Sequence, residues 1–158
     1  MARKYIVTFE SVTVSAAQDL LQIKGASGKM LQVERLWVGA TNTTLPTAQM
    51  LSIRARYLPV TVTDGSSGTT PTIVKADPGD AAASFTALAN NTTKATTNGT
   101  ATVLDEGGVH IYSGYDEMFP SSRMPPIGPS ESLVFELLST VSGTVALSGG
   151  AWVTEIGG

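Results

Sequence analysis

The feature that most constrains this chain is the alternation of apolar and polar residues over residues 50–58. One parity is apolar and the other is polar or charged: Leu51, Ile53, Ala55 and Tyr57 against Ser52, Arg54 and Arg56. Successive side chains of a β-strand point to opposite faces of a sheet, so a period of two predicts a half-buried strand. We expect the apolar set to face the core and the two arginines to face solvent or another subunit.

The same period recurs in short segments along the chain. Its parity changes near Ser11 and again at Glu34-Arg35, which predicts β-bulges or bends between sheets. The last two strands, at residues 144–147 and 151–156, are expected to form a hairpin across the glycines between them. Residues 81–89 stay open between a short helix and a strand. A train of about eight to ten short strands separated by turns is typical of a sandwich or barrel.

We therefore predict one all-β domain over residues 1–158, a β-sandwich of the jelly-roll type rather than the immunoglobulin type. Two long connections, 59–71 and 116–130, fit crossings between sheets. The first contains the turn dipeptide Asp64-Gly65 and is expected to be a hairpin tip or an exposed loop. The second contains four prolines, which cannot donate to a ladder, so an extended arm or loop is expected. Residues 1–4 are a candidate flexible N-terminal arm.

Composition excludes several classes of function. Charged residues make up 15% of the chain, the net charge is −3 and there is no cysteine. Disulfides, thiolate metal sites and thiol catalysis are therefore excluded. Nucleic-acid binding is not expected, because no basic patch is visible. No membrane association is expected either, because no apolar run approaches the roughly 18 residues needed to span a bilayer. The first residues carry two basic side chains without an apolar run after them, so no signal peptide is predicted.

The residues that could carry chemistry do not form a recognisable motif. His110 is the single histidine, and it is expected on the less buried face of its strand. The acidic pairs Asp105-Glu106 and Asp116-Glu117 lie beside glycines, where carboxylates are usually solvated. Residues 77–80 are predicted to form a turn rather than a calcium loop. We therefore predict no catalytic residue, no metal site and no cofactor.

Aromatic and methionine side chains enter the proline-rich segment near residue 116. Most aromatic residues elsewhere, including Trp37 and Trp152, are explained equally well by packing in the core and by stacking against sugar rings in a lectin-like module. Apolar side chains that enter an extended segment are typical of an interface. The predicted contact residues lie between residues 115 and 127: Tyr115, Met118, Phe119, Met124 and Ile127. Prolines lower the entropy cost of docking such an arm, and a homotrimer is predicted.

Three stretches of the chain resemble small structural proteins of tailed phages and prophages. They are Val7-Thr8-Phe9 with the residues up to Leu21, Asp77-Pro78-Gly79-Asp80 leading to Asn90-Asn91-Thr92-Thr93, and Pro126-Ile127-Gly128-Pro129 followed by Leu133-Val134-Phe135-Glu136. The resemblance is greatest to jelly-roll head decoration (cement) proteins. It implies a non-enzymatic component of the capsid surface, made in the host cytoplasm, trimeric and bound to the major capsid protein.

A different function remains compatible with the same fold and composition. A carbohydrate- or receptor-binding module of a phage tail or fibre is also a β-sandwich rich in neutral polar loops. The two alternatives differ in what they bind: a capsid lattice in one case and a glycan or receptor in the other.

Overall fold

The computed structural model describes residues 2–157, which form thirteen β-strands and no helix. The strands are β1 (Ala2–Val14), β2 (Gln18–Lys24), β3 (Met30–Ala40), β4 (Met50–Leu58), β5 (Val62–Thr63), β6 (Ile73–Lys75), β7 (Thr86–Asn91), β8 (Thr96–Thr97), β9 (Thr102–His110), β10 (Tyr115–Met118), β11 (Pro126–Ile127), β12 (Ser132–Leu137) and β13 (Val145–Ile156). The fold is therefore all-β, as the alternating pattern predicts.

Two antiparallel sheets pack face to face. Sheet A has the order β10-β3-β13-β1-β6, with β11 also paired to β3, and sheet B has the order β7-β2-β12-β4-β9. Without the edge strands β6 and β7 and the two-residue strand β11, each sheet keeps four strands, and the chain through these eight strands crosses between the sheets at every step except β4 to β9. This is the strand order of a jelly roll, two interlocked Greek keys, so the predicted β-sandwich and its topology are confirmed.

The core lies between the two sheets and contains the inward-facing residues of both. Val7 and Leu36 of sheet A and Ile53 and Phe135 of sheet B belong to one buried cluster, each with at most 1% of its surface exposed. In β4 the predicted inward residues Leu51, Ile53 and Ala55 are buried, whereas Tyr57 is partly exposed. The period of two therefore identifies the core face of this strand.

Both predicted changes of parity are β-bulges. The pairing of β1 with β13 shifts between Phe9 and Val12, and Ser11 between them has a positive φ of 48°. In β3, Val33 is opposite Val153 and Arg35 is opposite Trp152, so Glu34 is an extra residue in the strand. The second bulge turns Glu34 and Arg35 to the same outer face of sheet A.

The predicted C-terminal hairpin is wrong, because residues 145–156 form one continuous strand in the middle of sheet A. Gly149 and Gly150 do not form a turn. A Cβ at Gly149 would lie 2.2 Å from the carbonyl oxygen of Trp37, and one at Gly150 would lie 2.8 Å from a carbon of the Trp37 indole ring. These glycines allow a close approach within the sheet, which is the other role of glycine in a strand.

The predicted arms are also corrected. Residues 2–4 begin β1 and pair with residues 154–156, so they are not a free arm; Met1 lies outside the described residues. Residues 116–130 return to sheet A, since β10 and β11 both pair with β3. Proline is tolerated here because β11 is a short edge strand. Residues 81–89 contain no helix, and a strand begins at Thr86.

The long connection between β4 and β9 covers the outer face of sheet B. Residues 59–71 do not form a separate hairpin tip. Instead β5 pairs with β8, and isolated bridges join Ser66 to Thr93 and Thr69 to Ala89. The segment over residues 59–101, which we call the cover segment, also contributes the edge strands β6 and β7.

Candidate interaction surface

The candidate catalytic groups are not brought together. His110 is exposed at the end of β9, where its Nδ1 accepts a 3.3 Å hydrogen bond from the Tyr112 amide. Within residues 2–157, no hydrogen bond or ion pair joins His110 to a carboxylate, and no three potential ligand residues are grouped to hold a metal ion. In the same described range, no helix is long and apolar enough to cross a membrane.

The acidic residues near His110 each have a partner elsewhere. Asp105 accepts a hydrogen bond from the Tyr115 hydroxyl, and burial together with this carboxylate raises the pKa of Tyr115. Glu106 lies 3.6 Å from the Arg54 guanidinium. These acids therefore stabilise the edge of the sandwich through their partners.

The five predicted contact residues differ in accessibility. Phe119 and Ile127 are buried, with 9% and 0% of their surfaces exposed, and Met124 packs partly against the same core. Tyr115 is partly buried beside Phe135. Met118 is 61% exposed, so it is the member of this set whose side chain is most available to a partner. Residues 115–127 are thus largely packed on their own sandwich. Their role in contacts with another subunit stays a prediction, and among the five residues Met118 is the one exposed enough to make such a contact.

Met118 ends a row of side chains that crosses the outer face of sheet A. The members lie opposite one another on five adjacent strands: Met118, Arg35, Trp152, Ile6 and Val74. Met118, Val74 and Trp152 have 61%, 51% and 36% of their surfaces exposed. We call this set the outer row. It is a largely apolar strip, with Arg35 at its centre, in which these three side chains stay exposed on the outer face of sheet A.

Arg35 occupies the centre of an aromatic cluster in the outer row. Its guanidinium carbon lies 5.0 Å from the ring centre of Trp37 and 5.1 Å from that of Trp152. The two indole rings meet edge to face, with centres 6.5 Å apart. Trp37 can lie against β13 because Gly150 has no side chain there. Cation–π contact and the missing Cβ together hold both rings in place.

Each charge in this region has an opposite charge beside it. Arg35 donates to both carboxylate oxygens of Asp116, at 2.7 and 2.5 Å, and this hydrogen bonding lowers the pKa of Asp116. Lys4 donates to Glu34 at 3.0 Å. Burial opposes the ionisation of Glu34, but hydrogen bonds from Thr154 and Lys4 outweigh it and lower its pKa. The surface is therefore charged locally and neutral as a whole.

A recess opens between Trp152 and the first strand. It has a volume of about 160 Å³ and is lined mainly by apolar atoms, with the Lys4–Glu34 pair at one side. Trp152, Ile6 and Ala76 contribute its apolar walls. A recess of this size is close to an engineered cavity of about 150 Å³ that holds one six-membered ring.

The opposite outer face, on sheet B, is filled by the chain itself. Glu136 is fully buried and lies 2.6 Å from Arg54, 3.1 Å from Arg56 and 2.9 Å from Lys94 of the cover segment. Asp19 accepts a 2.6 Å hydrogen bond from the Ala95 amide, and burial raises its pKa to about 6. The two arginines point away from the core as expected, but neither is simply solvated: Arg56 donates to the Ala95 carbonyl of the cover segment, and Arg54, with 27% of its side chain exposed, lies between Glu106 and Glu136.

Sequence reasoning missed the aromatic cluster, although a signal for it was present. Trp37 lies between Leu36 and Val38, and Trp152 lies between Ala151 and Val153. The flanking residues face the core, so parity places both tryptophans outside. Core packing, one of the two interpretations of these tryptophans, is therefore wrong. No protein-family model, curated protein sequence or solved structure matches this chain.

Proposed function

We propose that this protein is a non-enzymatic structural component of a phage virion, a head decoration protein that works through contacts between proteins. The observation that carries the proposal is the uncovered outer row on sheet A. It combines tryptophan, arginine and methionine, which are enriched at the centres of protein interfaces. The resemblance to decoration proteins supplies the location, the capsid surface.

The size of this face supports a specific contact. The central strands β1, β3 and β13 contain 13, 11 and 12 residues. At about 3.4 Å per residue and about 4.8 Å between strands, they and the edge strands make a face of roughly 700 Å². A stable interface buries about 800 Å² on each partner. A partner that covers most of the face would therefore bury close to the usual area.

The charge distribution favours a protein partner. Arg35 is neutralised by Asp116 and Lys4 by Glu34, so a neutral surface can approach without leaving an ion unpaired. Nucleic acid would need free cations along its backbone instead. The partners in this proposal are other copies of the chain, in a homotrimer, and the major capsid protein. Catalysis and a cofactor are not part of it.

Capsid binding tests this function. Purified protein is mixed with heads that lack it, and the bound fraction is measured by co-sedimentation. Trp152→Ala and Met118→Ser are expected to reduce binding at least tenfold. Met50→Ser is the matched control, because Met50 is 59% exposed on sheet B. Absence of binding by the unchanged protein, or equal loss in the control, would contradict the proposal.

A second candidate is the carbohydrate-binding module, and the recess beside Trp152 favours it. An indole ring next to a polar pair offers both stacking and hydrogen bonding to one sugar ring. Retention on immobilised host glycans that is abolished by Trp152→Ala would support this function. Retention on capsids without retention on glycans would support the decoration function.

A further inference from the structure

The loop between β3 and β4 carries the most exposed large apolar side chain of the described residues. Leu45 has 79% of its surface exposed, at the centre of the uncharged stretch over residues 43–47. Single exposed leucines are common on protein surfaces. What distinguishes Leu45 is the support that holds its loop.

Hydrogen bonds fix this loop at both ends. The side chains of Asn42 and Gln49 each bond twice to the backbone of residues 142–146, with the four distances between 2.8 and 2.9 Å. The Tyr112 hydroxyl donates to the Pro46 carbonyl at 2.7 Å. A loop held in this way loses little conformational entropy when it binds. Leu45 is thus presented on a preorganised support.

The recess beside Trp152 is the complementary feature. Most other exposed apolar residues, such as Val74 and Met118, lie in strands and are flush with a sheet face. Leu45 projects from a loop and is more exposed than Val60, which lies just after β4. Of the exposed aliphatic side chains of the described residues, Leu45 is therefore the best placed to enter a recess on another copy.

We infer that Leu45 of one copy inserts into the recess beside Trp152 of a neighbouring copy. This inference rests on the proposed function, because it uses the same face of sheet A. The loop brings no charge, and Lys4 and Glu34 at the recess already neutralise each other. Burial of Leu45 there would leave no ion without its partner, as a stable contact requires.

The two contact sites lie on different parts of the molecule, so the interface is heterologous. A heterologous contact repeats from copy to copy, and it either closes into a ring or continues as a filament. Closure after three copies would give the proposed homotrimer. The recess and Leu45 of every copy are then both occupied.

The first experiment compares Leu45→Ser with Val60→Ser by light scattering over a range of concentrations. Val60 is 59% exposed and is the matched control. Leu45→Ser is expected to be monomeric at concentrations where the unchanged protein and Val60→Ser are oligomeric. An unchanged protein that is monomeric throughout would overturn the inference, whereas capsid binding by that monomer would leave the decoration function standing.

The second experiment tests the recess by filling it. Ala76→Phe places a ring in the recess, and Ala82→Phe adds the same ring on an exposed residue that does not line it. Only Ala76→Phe is expected to dissociate the oligomer. If Trp152→Ala dissociates it but Leu45→Ser and Ala76→Phe do not, sheet A is the interface and the inserted residue is not Leu45.

Mixing the two defective variants identifies a heterologous contact. Leu45→Ser keeps an open recess and Ala76→Phe keeps its leucine, so one intact junction can form between them. The mixture is expected to give a heterodimer that neither variant forms alone. Because the chain has no cysteine, Leu45→Cys mixed with Ala76→Cys should form a disulfide-linked pair when a mild oxidant such as oxidised glutathione is added to accept the two electrons. Absence of both products would overturn the inference.

Discussion

The outer faces of the two sheets are treated differently by the same chain. On sheet B, the cover segment buries Val134 and Leu58 in a small second cluster and encloses Glu136 among three cations. On sheet A, the indole of Trp152 and its neighbours in the outer row remain exposed. One face is covered by the chain itself, and on the other face apolar side chains stay exposed in the isolated chain. The difference teaches that the outer face of a sheet has to be judged by whether another part of the chain packs over its apolar and charged side chains.

The largest effect is expected from breaking the network on sheet B. Glu136→Ala leaves Arg54, Arg56 and Lys94 without their shared carboxylate under the cover segment. Removing one partner of a buried ionic group costs about 3–5 kcal/mol. Urea unfolding monitored by circular dichroism measures this loss. The matched change on sheet A, Asp116→Ala, is expected to cost less than about 1 kcal/mol, because Asp116 is 56% exposed. Equal losses of unfolding free energy in the two variants would show that the two outer faces do not differ in this way.

Truncating a core side chain between the two sheets should lower the free energy of unfolding almost as much. Ile53 is 1% exposed, and Ile53→Ala is expected to lower the free energy of unfolding by about 2–5 kcal/mol. Val74→Ala, on the outer face of sheet A, is expected to change it by less than about 0.5 kcal/mol. Chemical denaturation of both variants supplies the measurement, and similar losses would show that the outer face is not solvent-exposed in the isolated protein.

The two outer faces should also differ in how pH affects the free energy of unfolding. The pKa of Asp19 is about 6 in the folded chain and about 3.8 when unfolded, because burial disfavours its charge beside Glu136. Between these values the unfolded chain releases a proton that the folded chain keeps, so this group makes stability fall as pH rises from about 4 to 6. A difference of about two pKa units corresponds to about 3 kcal/mol as an upper limit.

Asp19→Asn is expected to remove the fall in stability that Asp19 causes between about pH 4 and pH 6. The free energy of unfolding of the variant, measured at pH 4 and pH 7, should fall less over this interval than that of the unchanged protein. Glu34→Gln on sheet A should change the profile in the opposite sense, because Lys4 and Thr154 lower the pKa of Glu34. A pH profile left unchanged by Asp19→Asn would show that Asp19 is already ionised at pH 4.

Only a modest loss of stability of the isolated chain is expected when the aromatic cluster is disrupted. Trp152 is 36% exposed, and its stacking on Arg35 contributes about 0.5–1 kcal/mol. Trp152→Ala should therefore lower the free energy of unfolding by about 1–2 kcal/mol while it weakens assembly strongly. Calorimetry of the monomer and light scattering of the oligomer separate the two effects. A loss of stability comparable to that of Ile53→Ala would make Trp152 a core residue.

The period of two was enough to predict the sandwich, the inward residues of β4 and the positions of both bulges. Local patterns failed where a distant residue decides the conformation. Gly149 and Gly150 resemble a turn until Trp37 is known to lie on the neighbouring strand. Arg54 and Arg56 resemble a solvated face until Glu136 of the neighbouring strand β12 is known to pair with both. The outer row depends on pairing between five strands, and no segment of the sequence contains it.

The extra residue in β3 has an evolutionary implication. Val33 and Arg35 are opposite Val153 and Trp152, so loss of Glu34 would leave a regular strand with its inward residues unchanged. The same deletion would remove the carboxylate that binds Lys4 at the recess, and with it the backbone acceptor of the Phe119 amide. A one-residue insertion in an ordinary strand would thus be sufficient to create this part of the surface. Related chains could gain or lose the site through a single codon while the sandwich itself is inherited intact.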